Sequence, residues 1–119
     1  MATFTKTILS GSTDGRGIKV VATATAGTTI HTGPTAAGTL HRITLYAVNT
    51  DTSARTLTVQ WGGTSSPDDS ITYSLQVNQG LILVAPALLI KGNATPLVVR
   101  AFASAANVVV VHGEVDVIA

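Results

Sequence analysis

Residues 55–77 read RTLTVQWGGTSSPDDSITYSLQV, and this stretch decides the fold class. In its first seven residues Leu57, Val59 and Trp61 alternate with Thr56, Thr58 and Gln60. In its last seven, Ile71, Tyr73, Leu75 and Val77 alternate with Thr72, Ser74 and Gln76. Successive side chains of a β-strand point to opposite faces, so a period of two makes one apolar and one polar face. Threonine suits the wet face, because its branched Cβ fits the pleated surface. Both segments are therefore strands of an outer layer. The loop between them carries Gly62, Gly63 and Pro67, which punctuate strands rather than continue them.

The same period recurs on either side. It predicts strands at 4–9, 18–25, 28–32, 39–49, 55–61, 71–77, 81–90, 97–102 and 107–118, with 81–90 open to a break at Pro86. Turn chemistry separates them at DGRG (14–17), GPTAAG (33–38), NTDTSA (49–54) and KGNATP (91–96). A period of 3.6 is nowhere sustained, so no substantial helix is expected. Eight or nine short strands imply an all-β protein, an antiparallel β-sandwich with a jelly-roll-like order as first choice. Residues 18–119 form its single domain. Residues 1–17 are rich in Thr, Ser and Gly, and read either as an arm ordered by a partner or as an ordinary edge strand. At 78–80 the loop NQG ends in a glycine able to turn left-handed, which predicts a hairpin pairing 71–77 with 81–85.

The chain has 119 residues, enough for one domain with a real core. It has no cysteine, which excludes disulfides, thiolate metal sites and a cysteine nucleophile. No stretch approaches the ~20 apolar residues that cross a bilayer, and the first residues lack the apolar run of a signal peptide. The expectation is a protein made in a cytoplasm and kept there or released by lysis, with no membrane partner. Seven scattered basic residues against six acidic ones give a net charge of +1, and no basic stripe argues for nucleic acid.

Charged residues make up only 11% of the chain, where about 25% is typical. Two runs, LILVAPALLI (81–90) and Val108–Val111, are apolar at every parity and predict strands dry on both faces. Together these features predict that other protein covers part of the surface. Leu83, Leu89, Val108 and Val110 are the candidate oligomer contacts.

Few residues suggest chemistry. His112, Glu114 and Asp116 alternate in the last strand and invite a metal reading. In a strand, residues two apart lie ~6.6 Å apart and residues four apart ~13 Å. His112 and Glu114 could converge on one ion, but all three could not without a sharp bend at Gly113. The plainer reading is a solvated strand face opposite Val109, Val111, Val115 and Val117. The two-histidine signature of cupins is absent. Asp68 and Asp69 read as a turn before they read as a calcium site. Trp61 is a candidate sugar platform, and its place in an inward row reads as core. No serine sits in a nucleophile elbow and no glycine loop cradles a phosphate. No enzyme activity and no cofactor are expected.

From about residue 27 onward the chain resembles a group of small tailed-bacteriophage virion proteins. The likeness rests on GTTIHT, LHRITLYAVNTDTSARTLTVQWGG, the loop ending in PDD, GLILVAP and VVRAFASAANVVVVHGEVDVI. The last strand carries more acids than those proteins usually show, at Glu114 and Asp116. The resemblance implies a structural protein of the virion, made in the host cytoplasm: a capsid decoration (cement) protein that binds the major capsid protein as a homotrimer. It transfers no functional residue. Within that reading Phe4, Lys6, Ile8 and Leu9 are the candidate capsid-binding arm. The alternatives are a head–tail connector, tail or head-fibre base component, and, in other classes, a carbohydrate-binding module or a small metalloenzyme.

Overall fold

The computed structural model describes residues 3–119, and among them it has strands, turns and no helix. Sheet 1 contains β1 (Phe4–Thr7), β2 (Ile18–Lys19), β4 (Leu40–Asn49), β7 (Ile82–Lys91) and β9 (Val109–Ile118). Sheet 2 contains β3 (Thr28–Thr32), β5 (Arg55–Trp61), β6 (Ser70–Leu75) and β8 (Val98–Ala103). All pairings are antiparallel.

Sheet 1 runs β1-β9-β4-β7, with β2 also paired to β9. Because β4 occupies one side of β9 along its whole length, β1 and β2 share the other side as one interrupted strand. Sheet 2 runs β3-β8-β5-β6. From β2 onward every connection crosses between sheets except β5 to β6. That is the jelly-roll order, two Greek keys folded into a sandwich.

The core lies between the sheets and follows the predicted parity. Ile43, Leu45 and Ala47 of β4 and Val109, Val111 and Val115 of β9 face Leu57 and Val59 of β5 and Val99 and Ala101 of β8, all essentially inaccessible to water. Full burial of each larger side chain contributes about 1.5–3 kcal/mol. Trp61 ends its inward row half-buried against this cluster, and its indole N–H points at the Leu89 carbonyl, 3.4 Å away.

Three expectations need correction. Residues 71–77 do not pair with 81–85: β6 pairs with β5, and β7 crosses to sheet 1 to pair with β4. The NQG loop turns as expected, with Asn78 and Gly80 at φ 59° and 74°, but turn chemistry does not name the next strand's partner. The strand predicted at 18–25 is only Ile18–Lys19, because residues 22–27 leave sheet 1 and reach over to β8. Among the described residues nothing covers the outer face of β7, where Leu83 is 43% and Leu89 52% exposed. Strand β7 is an edge strand, which is also where Pro86 can sit without breaking a ladder. Finally, Leu9 is 2% exposed in the core and is not offered to a partner, because residues 9–11 turn inward to lie against β3.

Candidate functional site

The His112–Glu114–Asp116 row lies on the outer face of β9, opposite Tyr46, Thr44 and Arg42 of β4. On the other side Lys6 of β1 stands opposite Asp116. Cations thus flank the carboxylates. Lys6 Nζ lies 2.5 Å from Glu114 Oε1 and 3.0 Å from Asp116 Oδ1, and Arg42 Nη2 lies 2.8 Å from Asp116 Oδ2. The hydrogen bonds from Arg42 and then Lys6 hold the Asp116 carboxyl below the usual carboxylate range. Those to Glu114 and Asp116 push the Lys6 ammonium up. Two positive and two negative groups therefore close into a neutral ladder. His112 stands apart from it, half-buried beside Val110 and Gly17. Among the described residues no three His, Asp or Glu side chains gather as metal ligands.

Apolar side chains surround the ladder. Phe4 is 70% exposed at one margin, and Leu83 and Leu89 stand at the other. Phe4 and Ala87 wall an open groove of about 590 Å³ above the charges. Half-buried Tyr46, Val48, Val110 and Ile118 continue the same face, while Val108 is half-buried just before β9 begins. Of the predicted arm residues, Phe4 and Lys6 are on β1, and Ile8 follows it, exposed. Gly17 passes so close to Val110 that a Cβ there would sit 2.5 Å from a valine methyl. The segment before β2 thereby covers part of the valine run.

Strand alternation does not predict the second feature. His31 of β3 and His41 of β4 meet across the sheets, His31 Nε2 2.8 Å from His41 Nδ1. A register shift between Thr29 and His31 turns both Ile30 and His31 inward, where strict alternation would bury only one. The Ser10 N–H donates to His31 Nδ1 at 3.0 Å. His31 Nδ1 is thus an acceptor, its proton sits on Nε2, and that N–H donates to His41. Burial, then the neighbouring His41, lowers the His31 pKa to about 4; burial lowers that of His41 too. The neutral pair joins sheet 1, sheet 2 and the N-terminal segment, which adds hydrogen bonds from Gly11 N–H to the Ile30 carbonyl and from Thr32 N–H to Ser10 Oγ. Both His31 ring nitrogens and His41 Nδ1 are held in structural bonds.

The outer face of sheet 2 is different again. Across β8, β5 and β6 one row reads Phe102, Thr58, Thr72 and the next Arg100, Gln60, Ser70. Asp69 caps the adjacent loop, its carboxylate accepting from the Ser65 N–H at 3.1 Å, which is the turn role expected of the Asp68–Asp69 pair. Compared with protein-family models, curated proteins and solved structures, the chain matches none.

Proposed function

We propose that this chain is a structural virion protein of a tailed bacteriophage, a capsid decoration protein that binds the outer shell as a homotrimer. The observation that carries the reading is the outer face of sheet 1, where Phe4, Leu83 and Leu89 are exposed around a ladder that leaves no net charge. Exposed apolar side chains of that kind cost free energy in water, and the ladder costs little when covered, since its own charges compensate one another; the exposed Lys19 and Lys91 stand on the same face at its margins. The low charge of the whole chain and its resemblance to phage head proteins support the same reading.

On this proposal the β7 margin, with Leu83 and Leu89, and the valine run, with Val108 and Val110, meet the neighbouring copies. Phe4, Lys6 and Ile8 reach the major capsid protein. The mechanism is mechanical: each trimer ties adjacent capsid subunits together, and repetition over the shell turns modest contacts into avidity. Light scattering on the free protein tests the first half. A particle of three times the 12.1 kDa chain mass at micromolar concentration is expected, and a monomer overturns the trimer. Cosedimentation with expanded empty capsids of the parent phage tests the second. Saturable binding at many copies per shell is expected, whereas a few copies at one vertex would assign a connector.

A further inference from the structure

We infer that the outer face of sheet 2 is a binding site for a neutral oligosaccharide, held in the groove between residues 23–25 and 64–66 with a sugar ring over Phe102. The groove has a volume of about 380 Å³, within the range of small-molecule clefts. Its floor is Phe102 of β8, Thr58 and Gln60 of β5, and Ser70 and Thr72 of β6. Thr23 and Thr25 stand on one side and Thr64 and Ser66 on the other. No lining residue is charged.

Chemistry selects the ligand. Seven of the ten lining residues carry a hydroxyl, and each hydroxyl donates one hydrogen bond and accepts two. An array of groups that both donate and accept matches a ligand whose own groups are hydroxyls. A phosphate or carboxylate ligand calls for cations; the lining has none, and Arg100, beside Gln60 in the same row, lies outside it with Nη1 donating to Thr29 Oγ1 at 3.3 Å. Phe102 supplies the apolar surface that the C–H face of a pyranose needs. Its neighbours Ala101 and Ala103 point into the core at 0% exposure, so parity sends Phe102 outward.

Both walls are built before any ligand arrives. Gln60 is 3% exposed although its strand parity is outward. Its Oε1 accepts from the Gly27 N–H at 2.9 Å and its Nε2 donates to Thr25 Oγ1 at 2.8 Å, which fastens the 23–27 loop over the sheet. Gly27 lies so near the Ala101 backbone that a Cβ would come within 2.6 Å of it. Across the groove, Asp69 N–H donates to the Ser65 carbonyl at 2.9 Å and Trp61 N–H to the Asp69 carbonyl at 2.7 Å. A preformed cleft avoids the ordering cost of binding. The sugar candidate suggested by sequence, Trp61, is packed against the core instead, so the platform moves to Phe102.

Nuclear magnetic resonance titration of the full chain with hexasaccharides of glucose and of N-acetylglucosamine tests the inference, with a hexauronate as the charged counterpart. Saturable shifts confined to residues 23–25, 58–72 and 102 are expected for at least one neutral sugar. Phe102→Ala should weaken that binding about tenfold. Thr72→Val, at an exposed edge position that tolerates valine, should weaken it by about threefold or more. Leu83→Lys on the opposite sheet should leave it unchanged. Absence of saturable shifts with both neutral sugars overturns the inference, as does tighter binding of the hexauronate or indifference to both groove variants. Shifts in the same rows that grow with protein concentration alone assign this face to a second copy and also overturn it. No capsid is needed, so this result stands apart from the decoration proposal.

Discussion

The two outer faces of this sandwich come from the same alternating pattern and differ in nearly everything else. Outward positions of β4 and β9 carry Tyr46, Val48, Val110 and Ile118 beside the Arg42–Asp116–Lys6–Glu114 ladder. Outward positions of β5 and β6 carry Thr56, Thr58, Thr72 and Ser74. Hydroxyls keep their hydration when free, whereas exposed leucine and phenylalanine order or exclude water until something covers them. The chain's scarcity of charge is therefore divided between one face suited to burial and one suited to remaining wet. Strand β6 shows the limit of that division, since Tyr73 is inward by parity yet exposed on an edge strand that has β5 on one side only.

The largest effect is expected where the faces differ most. Leu83→Lys with Leu89→Lys should weaken self-association at least about a hundredfold, because two apolar contacts are lost and two charges are added. Thr58→Lys with Thr72→Lys should leave it intact. Sedimentation equilibrium reads both. Equal loss from the two pairs would break the distinction between the faces.

A pH scan sharpens the comparison by isolating the place where the sheets are joined. His31 has a folded pKa of about 4 against a usual 6.5, so the folded state prefers the neutral ring. Its contribution is fully present above pH 6.5 and is lost as pH falls from 6.5 through 4, by up to about 3 kcal/mol. The ladder titrates elsewhere: Asp116 is depressed below the usual carboxyl value of 3.8, so its contribution goes only under that value. Urea unfolding midpoints should therefore fall between pH 6.5 and 4 in the parent chain and fall less steeply in His31→Gln, where His41 alone remains depressed by burial. Hydrogen exchange should show residues 9–12 opening first. An acid slope as steep in His31→Gln as in the parent chain would place the titration elsewhere.

Parity made most of this legible in sequence. Leu57, Val59, Val109, Val111 and Val115 were assigned to inward faces by alternation alone, and the strand bounds of β3, β4 and β5 followed from turn residues. What alternation cannot carry is pairing. The NQG loop looks alike whether the chain returns to the same sheet or crosses to the other, because a turn constrains four residues and the partner is chosen by long-range burial. Bulges are equally silent: His31 is buried by one register shift, and the meeting with His41 depends on which sheets those strands join. The outer row of β9 was legible as strand geometry, but Lys6 and Arg42 as its partners required the register of β1 and β4.

On the sheet 2 side, Gln60→Ala should cost about 1–3 kcal/mol, since the Gly27 N–H loses its acceptor in a buried site. Thermal unfolding measures it. The loss should concentrate in the 23–27 loop, and the same substitution should leave self-association through sheet 1 unchanged.

The smallest effect on folding is expected from Asp116→Asn. Lys6 and Arg42 are well exposed, and solvent screens such pairs, so the melting temperature should move less than for Gln60→Ala. Self-association should respond more than folding does. With Asp116 neutral, Lys6 keeps Glu114 but Arg42 has lost its ion partner, and the part of the face proposed to be covered now carries an uncompensated cation. Association should weaken severalfold, and added salt should relieve part of that loss. Arg42→Gln combined with Asp116→Asn removes both members of the pair and should restore most of the association, because neutrality returns without the original contact. The order of the three variants is the discriminating result: if Arg42→Gln with Asp116→Asn associates no better than Asp116→Asn alone, the ladder acts through its own bonds. If it recovers, what this part of the face requires is the absence of an unpaired charge, whereas the opposite sheet meets water with hydroxyls and Arg100.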